Sequence, residues 1–116
     1  RAIEDPSLVD YIRERRITLD ICPTSNVRTN CVASLETHPL RQLWQAGVQI
    51  TLNSDDPPMF HTTLLDEYRL AVTHMGFTLS ELAHMSLTAV RSSLLPANER
   101  QQLEASFQYE IERLAL

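Results

Sequence analysis

Two short segments of alternating apolar residues constrain the fold of this chain more than any other feature of its sequence. Residues 17–21 (Ile-Thr-Leu-Asp-Ile) and 48–52 (Val-Gln-Ile-Thr-Leu) place apolar side chains at every second position, as half-buried β-strands do. A helical segment between them predicts a strand–helix–strand unit with parallel strands, because the crossover is long. Parallel strands end at one edge of a sheet, where ligands bind in α/β folds and barrels. The polar segments 22–26 and 53–58 are therefore predicted to converge on one site.

The second polar segment, Asn-Ser-Asp-Asp-Pro-Pro (53–58), carries two adjacent carboxylates, Asp55 and Asp56. Neighbouring side chains of an extended backbone point to opposite sides, so one carboxylate can face a metal ion while the other faces a ligand. Carboxylates this close repel each other unless a cation or a proton intervenes. The alternative is a solvated turn that ends the strand, with an Asp capping the local backbone. These six residues alone leave both interpretations open.

Capping and turn residues predict where the helices begin and end. Asp5-Pro6 begins the first helix, Gly47 ends a helix over about 39–46, and Thr78 with Glu81 forms a capping box. Residues 22–26 are predicted to be a small polar loop, and residues 27–36 a loop with a short turn. Two further helices are expected, one from Thr62 or Thr63 to about Gly76, and one after Pro96 with an apolar row of Leu103, Phe107, Ile111 and Leu114.

Composition narrows the class of protein. A chain of 116 residues with 43% apolar residues is expected to be globular and at most one domain. A net charge of −5 argues against nucleic acid as a partner. All ten basic residues are arginine, and the absence of lysine excludes Schiff-base and P-loop chemistry from this chain.

Compartment is predicted from the cysteines and from the apolar runs. Cys22 and Cys31 fit no zinc or redox spacing, and two reduced, partly buried packing residues are favoured over a disulfide. No apolar run approaches membrane-spanning length, and no signal peptide is recognised, so no membrane partner and a cytoplasmic location are expected. The first residue, Arg1, is not Met, which suggests a fragment.

The number of strands is too small for a complete α/β domain. Two parallel strands with open edges do not form a self-sufficient sheet, and a (β/α)₈ barrel takes ~250 residues. The chain is therefore expected either to pair with further strands or to cover its edges by self-association.

Several segments together resemble the C-terminal part of adenosine deaminase. They are, in order, Cys22-Pro23-Thr24-Ser25-Asn26-Val27, His38-Pro39-Leu40, Asn53-Ser54-Asp55-Asp56-Pro57 and Leu64-Leu65-Asp66-Glu67-Tyr68. The resemblance implies an α/β fold that is the C-terminal portion of a zinc-dependent (β/α)₈ barrel of the amidohydrolase type, which converts adenosine to inosine and ammonia. It implies that residues 1–116 are a single incomplete domain, with about two parallel strands, flanking helices and C-terminal helices.

The resemblance also assigns roles to individual residues. It implies that Asp55 is a zinc ligand and that Asp56 hydrogen bonds the purine ring at N7, so that both are catalytic residues. Because N7 is an acceptor, Asp56 or N7 must carry a proton in that contact. Ser25 and Asn26 match a segment near the site and are expected to support it. The paired zinc histidines, the proton-donating glutamate and two later histidines of the family have no counterpart here.

Two hypotheses about function follow from this resemblance. In the first, the full-length protein is a purine deaminase with Zn²⁺ as cofactor and a small purine nucleoside as substrate. The chain alone would then be inactive, and adenine or another adenine nucleoside or nucleotide remains an alternative substrate. In the second, the chain is a non-catalytic truncated relative, or a fragment that associates with itself.

The histidines and aromatic residues are given structural roles in most cases. His38 is expected to cap a helix or lie on the surface, His74 and His84 to lie on the surface or between helices, and Trp44 to pack in the core. Phe60 is expected to pack as part of a lid, although it lies close enough to the site to flank a purine. His61 is expected to be a solvated loop residue, with contact to the substrate as the alternative.

Overall fold

The chain folds into a parallel pair of strands covered by helices. The structure is a computed structural model that describes residues 1–116, and it contains two strands, seven α-helices and a 3₁₀ turn at Ala2–Glu4. The strands are β1 (Leu19–Ile21) and β2 (Ile50–Leu52). The helices are α1 (Pro6–Glu14), α2 (Pro23–Arg28), α3 (Leu40–Gln45), α4 (Pro57–Phe60), α5 (Leu64–Met75), α6 (Leu79–Arg91) and α7 (Ala97–Arg113).

The strand pairing confirms the predicted parallel topology. Leu19 pairs with Ile50 and Ile21 with Leu52, and both strands are two residues shorter at their amino ends than predicted. The pairing continues one residue further, because the backbone N–H of Asn53 donates to the carbonyl of Ile21 at 2.8 Å. Both polar segments therefore leave the sheet at the same edge.

One face of the sheet carries the core. Ile21, Ile50 and Leu52 lie in a cluster of 13 buried apolar residues, to which Leu40 and Met85 contribute fully buried side chains. Helix α6 packs across β2, and α5 also contacts it. Alternation along each strand thus separates an apolar face, which packs against the helices, from a polar one.

Local capping chemistry sets the helix ends as predicted. The Asp5 carboxylate accepts from the backbone N–H groups of Ser7 and Leu8, and Thr78 with Glu81 forms a reciprocal capping box. Thr63 begins α5 with a second such box, and Gly76 ends that helix in the left-handed conformation. These signals are readable because each lies within four residues of the backbone group that it satisfies.

Two segments predicted as loops are helical. Residues 23–28 form α2 instead of the small polar loop, and residues 57–60 form the single turn α4. In both, a proline occupies the first helical position, where its fixed φ is suitable and its missing N–H costs nothing. Helices this short give no apolar periodicity, so the sequence pattern does not reveal them.

The last helix is less buried than its apolar row predicts. No residue of α7 is fully buried, and Phe107 and Ile111 line an open apolar groove of about 720 Å³ between α5, α6 and α7. Leu114 lines the same groove and is more than half exposed. No helix in the structure combines the length and the apolar character needed to span a bilayer.

Candidate functional site at the carboxyl edge of the strands

The two segments that follow the strands meet through a direct contact between Ser25 and Asp55. Helices α2 and α4 lie against each other at this edge, and the Ser25 hydroxyl donates to Asp55 Oδ2 at 2.7 Å. Ser25 is buried, whereas Asp55 is exposed. This contact holds one oxygen of Asp55 in place and leaves Oδ1 without a protein partner.

The backbone at Asp55 differs from the predicted extended strand. Asp55 has a left-handed φ of 59°, and Asp56 returns to an extended φ of −113°. Asp tolerates the left-handed region better than most residues, although the conformation still costs of order 1–3 kcal/mol and tends to occur at functional sites. The two carboxylates contact different partners because of this backbone reversal, and not because of strand alternation.

Asp56 has a capping role of its own. Its Oδ1 accepts from the backbone N–H of Met59 at 3.1 Å, which makes Asp56 the N-cap of α4. The capping alternative and the ligand alternative are therefore compatible, because the capping contact uses one oxygen and leaves the other exposed.

Asn26 points to another partner, although it follows Ser25 directly. Its Oδ1 lies 3.0 Å from Nε2 of His38, and Nδ1 of His38 accepts from the backbone N–H of Leu40 at 3.0 Å. His38 thus caps the start of α3, which confirms the first of its two predicted roles, and its burial excludes the second, a surface position. The bond at Nδ1 assigns the proton of the neutral ring to Nε2, which donates to Asn26.

Burial of His38 predicts a pH dependence of stability. Desolvation lowers the pKa of its imidazole below the ordinary value of 6.5. As the pH falls below that value, the unfolded chain takes up a proton that the folded chain does not, so this contribution to stability is present above pH 6.5 and is lost at lower pH. We expect His38→Asn, which keeps an acceptor for Leu40, to make the loss of thermal stability between pH 7.5 and 5.5 shallower. Equal slopes for both proteins would contradict this.

The two cysteines are free thiols in different surroundings. Cys22 is half-buried at the N-cap of α2, and burial, followed by the charges of Asp55 and Glu67, raises the pKa of its thiol. Cys31 is exposed, so its predicted packing role is wrong. Burial and the negative charges of Asp55 and Glu67 therefore hold the Cys22 thiol in its neutral form.

The remaining predicted residues divide between packing and surface. Trp44 packs edge-on against Phe77 and His84, which confirms its core role and the interhelix position of His84. His74 lies on the surface, as predicted, with its Nδ1 3.1 Å from Oε1 of Glu36. Phe60 ends α4 half-buried, and His61 follows it, exposed and in the left-handed conformation.

Sequence reasoning gave no role to Glu67, although it is a fully buried carboxylate next to the site. Its Oε1 accepts from the Thr62 hydroxyl at 2.9 Å, and its Oε2 accepts from the backbone N–H of Thr24 at 3.3 Å. None of the six ion pairs of the chain includes it. Its spacing of four residues from Ala71 and eight from Met75, which are both buried, puts it on the inward face of α5, and this is the signal that could have found it.

A polar row on the second face of the sheet was also missed. Thr51 donates to Asp20 on the neighbouring strand, and the Asn53 amide donates to Thr51 Oγ1 at 2.8 Å. These side chains alternate with the apolar ones that enter the core, so they lie on the opposite face of the sheet, where Thr51 is buried as well.

The side chains at this edge offer a zinc ion one ligand of the type it accepts. Carboxylate oxygen is a zinc ligand, and Asp55 offers an exposed oxygen at a strand end. No group of three His, Cys, Asp or Glu side chains in the chain is arranged to hold a metal. Asp55 therefore fits the role of one ligand, and the chain does not supply a complete site.

Comparison with known protein sequences identifies the family. The family model described as adenosine deaminase matches residues 1–108. An adenine deaminase of Sinorhizobium fredii is 45% identical over 91% of this chain and 33% of its own length. An adenosine deaminase of Plasmodium falciparum is 40% identical over 92% of this chain and 29% of its own length. The chain thus spans about a third of the length of these relatives.

The fold agrees with that assignment. A zinc-bound amidohydrolase of Burkholderia ambifaria superposes with a TM-score of 0.86 at 24% identity, covering 98% of this chain and 32% of the other. That protein is a TIM barrel, so β1, β2 and their helices are a C-terminal portion of a (β/α)₈ fold, as predicted. The chain belongs to the adenosine deaminase family.

Proposed function

We propose that residues 1–116 form the C-terminal part of a zinc-dependent enzyme that deaminates adenosine to inosine and ammonia. In this proposal the chain is a single incomplete domain that supplies Asp55 and Asp56 to the active site. The remaining zinc ligands and the proton donor come from the preceding part of the same barrel. The isolated chain is then inactive, because one carboxylate does not hold a catalytic zinc.

The observation that carries the proposal is the Ser25–Asp55 contact at the carboxyl edge of two parallel strands. It links the two segments of the family resemblance, which are separated by 30 residues in sequence, at the edge where barrel enzymes place their active sites. Ser25 fixes Oδ2 of Asp55 and leaves Oδ1 for a cation. A zinc ion held there would make water nucleophilic at neutral pH.

Asp56 is the residue that we assign to the purine. Its cap on Met59 anchors the carboxylate at the start of α4, so the second oxygen has a defined position for a ring nitrogen. The contact with N7 requires a proton on either Asp56 or the ring, so Asp56 either donates this hydrogen bond or accepts it from a protonated N7. Ser25 supports Asp55, whereas Asn26 acts one step away, through His38 and the start of α3.

A second candidate is adenine as substrate, because the adenine deaminase relative is 45% identical. Residues of the missing part of the barrel would decide between the base and the nucleoside. Two free cysteines are consistent with a reducing compartment, and we place the enzyme in the cytoplasm.

An ammonia-release assay of the full-length protein tests the proposal. Adenine, adenosine, adenosine monophosphate and its N6-methyl derivative are each supplied to the zinc-loaded protein, and we expect adenosine to give the highest kcat/KM. The chain of residues 1–116 alone is the control and should release no ammonia. Preference for adenine would replace the substrate assignment. No release from any of the four purines would overturn the proposal and favour the non-catalytic alternative.

A further inference from the structure

Glu67 stands out among the charged residues of this chain because it is fully buried without a basic partner. Burying a carboxylate is costly unless its oxygens accept hydrogen bonds. Both oxygens of Glu67 do so, one from Thr62 and one from the backbone of Thr24. Thr24 lies in the segment 22–26, and Thr62 follows the α4 turn, whose N-cap is Asp56.

The contact of Glu67 with Thr24 fixes the start of α2. The first backbone N–H groups of a helix have no partner within the helix, and the N-cap of α2, Cys22, accepts no side-chain bond from them. Glu67 supplies an acceptor to Thr24 from 43 residues further along the chain. Thr24 immediately precedes Ser25, whose hydroxyl donates to Asp55.

The contact of Glu67 with Thr62 fixes the segment around α4. Thr62 donates its hydroxyl to Glu67, and its backbone N–H donates to the carbonyl of Pro57 at 3.3 Å. Pro57 directly follows Asp56. One carboxylate on α5 thus joins the residue beside Ser25 to the turn that begins at Asp56.

We infer that Glu67 is a positioning residue that clamps the first turn of α2 to the α4 turn and thereby sets the Ser25–Asp55 contact. It does not touch the metal or the substrate. This inference rests on the proposed function only where zinc and activity are concerned. The clamp itself is a property of the described contacts.

The test compares three variants of the full-length protein. Glu67→Met keeps the volume and removes both acceptors, Thr62→Val removes one contact, and Glu67→Gln keeps both contacts by placing its carbonyl on Thr24 and its amide on the Thr62 hydroxyl. Glu99→Met, an exposed glutamate in the first turn of α7, is the matched control.

Hydrogen–deuterium exchange over residues 22–28 reports on the clamp without reference to activity. We expect exchange there to accelerate in Glu67→Met and Thr62→Val, and to stay near wild type in Glu67→Gln and Glu99→Met. In Glu67→Met, zinc loss to a chelator should become about 10- to 100-fold faster, and kcat should fall by about the same factor, as for other residues that orient a metal ligand. Glu67→Gln should remain within about threefold of wild type, because its hydrogen bonds persist.

A double-mutant cycle with Ser25→Ala separates positioning from general stabilisation. If Glu67 acts through Ser25, the two effects on zinc retention are not multiplicative, because both variants release the same carboxylate. Unchanged exchange over 22–28 in both Glu67→Met and Thr62→Val, or fully multiplicative effects, would overturn the inference. If Glu67→Met does not fold, Thr62→Val decides by the same measurements. A wild-type protein without zinc or activity would contradict the proposed function, while the exchange data would still test the clamp.

Discussion

Asp55→Ala is expected to remove zinc from the full-length protein and to lower deamination by roughly a thousand-fold or more, because water is no longer activated by a metal. The reason lies in the geometry at the end of β2. Ser25 occupies one oxygen of Asp55, and the other has no protein partner on this exposed residue just after β2. Zinc content by elemental analysis and ammonia release measure the two effects on the same sample.

Two control variants make the result interpretable. Asp55→Asn keeps the left-handed backbone, which Asn tolerates as well as Asp, and removes only the charge. It should lose zinc as Asp55→Ala does, whereas Asp10→Asn, at an exposed ion pair on α1, should retain it. Stoichiometric zinc in Asp55→Ala would remove Asp55 from the ligand set.

The second large effect is expected at Asp56. Asp56→Asn should lower kcat/KM about 10- to 100-fold, because a hydrogen bond with a charged partner contributes roughly 1.5–3 kcal/mol and an amide forms a weaker one. The same variant should change the pH dependence of kcat/KM, because an amide exchanges no proton with the ring nitrogen. A pH–rate profile measured from pH 5 to 9 on both proteins tests this.

The capping role of Asp56 provides the control for that experiment. Asn is as good an N-cap as Asp, so Asp56→Asn should keep α4 and its thermal stability. Asp56→Ala loses the bond to Met59 as well, and it should cost about 1 kcal/mol of stability in addition to its effect on activity. An unchanged pH profile in Asp56→Asn would show that the carboxylate does not carry or receive the proton.

The groove between α5, α6 and α7 is an apolar surface that the chain itself leaves open. Its apolar lining was predicted from the spacing of Phe107, Ile111 and Leu114, but no element of the chain covers it. The β1–β2 pair likewise has two strand edges without a neighbour in the chain. Missing elements of the barrel or a second copy of the chain can cover these surfaces, and both alternatives of the sequence analysis remain proposals.

Several features of this protein were determined by sequence alone because their signals are local. Alternation over five residues predicted each strand, and the helical segment between them implied parallel pairing. The capping box at Thr78, a threonine cap at 62 or 63 and the glycines at 47 and 76 predicted helix ends within one turn of those observed. Parallel pairing in turn placed the acidic pair at the edge where both strands end.

Other features were decided only by the tertiary structure. The Ser25–Asp55 bond spans 30 residues, and the Glu67–Thr24 bond spans 43. Neither has a local signal, because a buried polar group takes its partner from whatever packing brings near it. The same holds for the left-handed backbone at Asp55, which separates the two carboxylates in a way that strand alternation did not predict. Periodicity and caps are set within a few residues, whereas the alignment of donors and acceptors across elements exists only after the elements have packed.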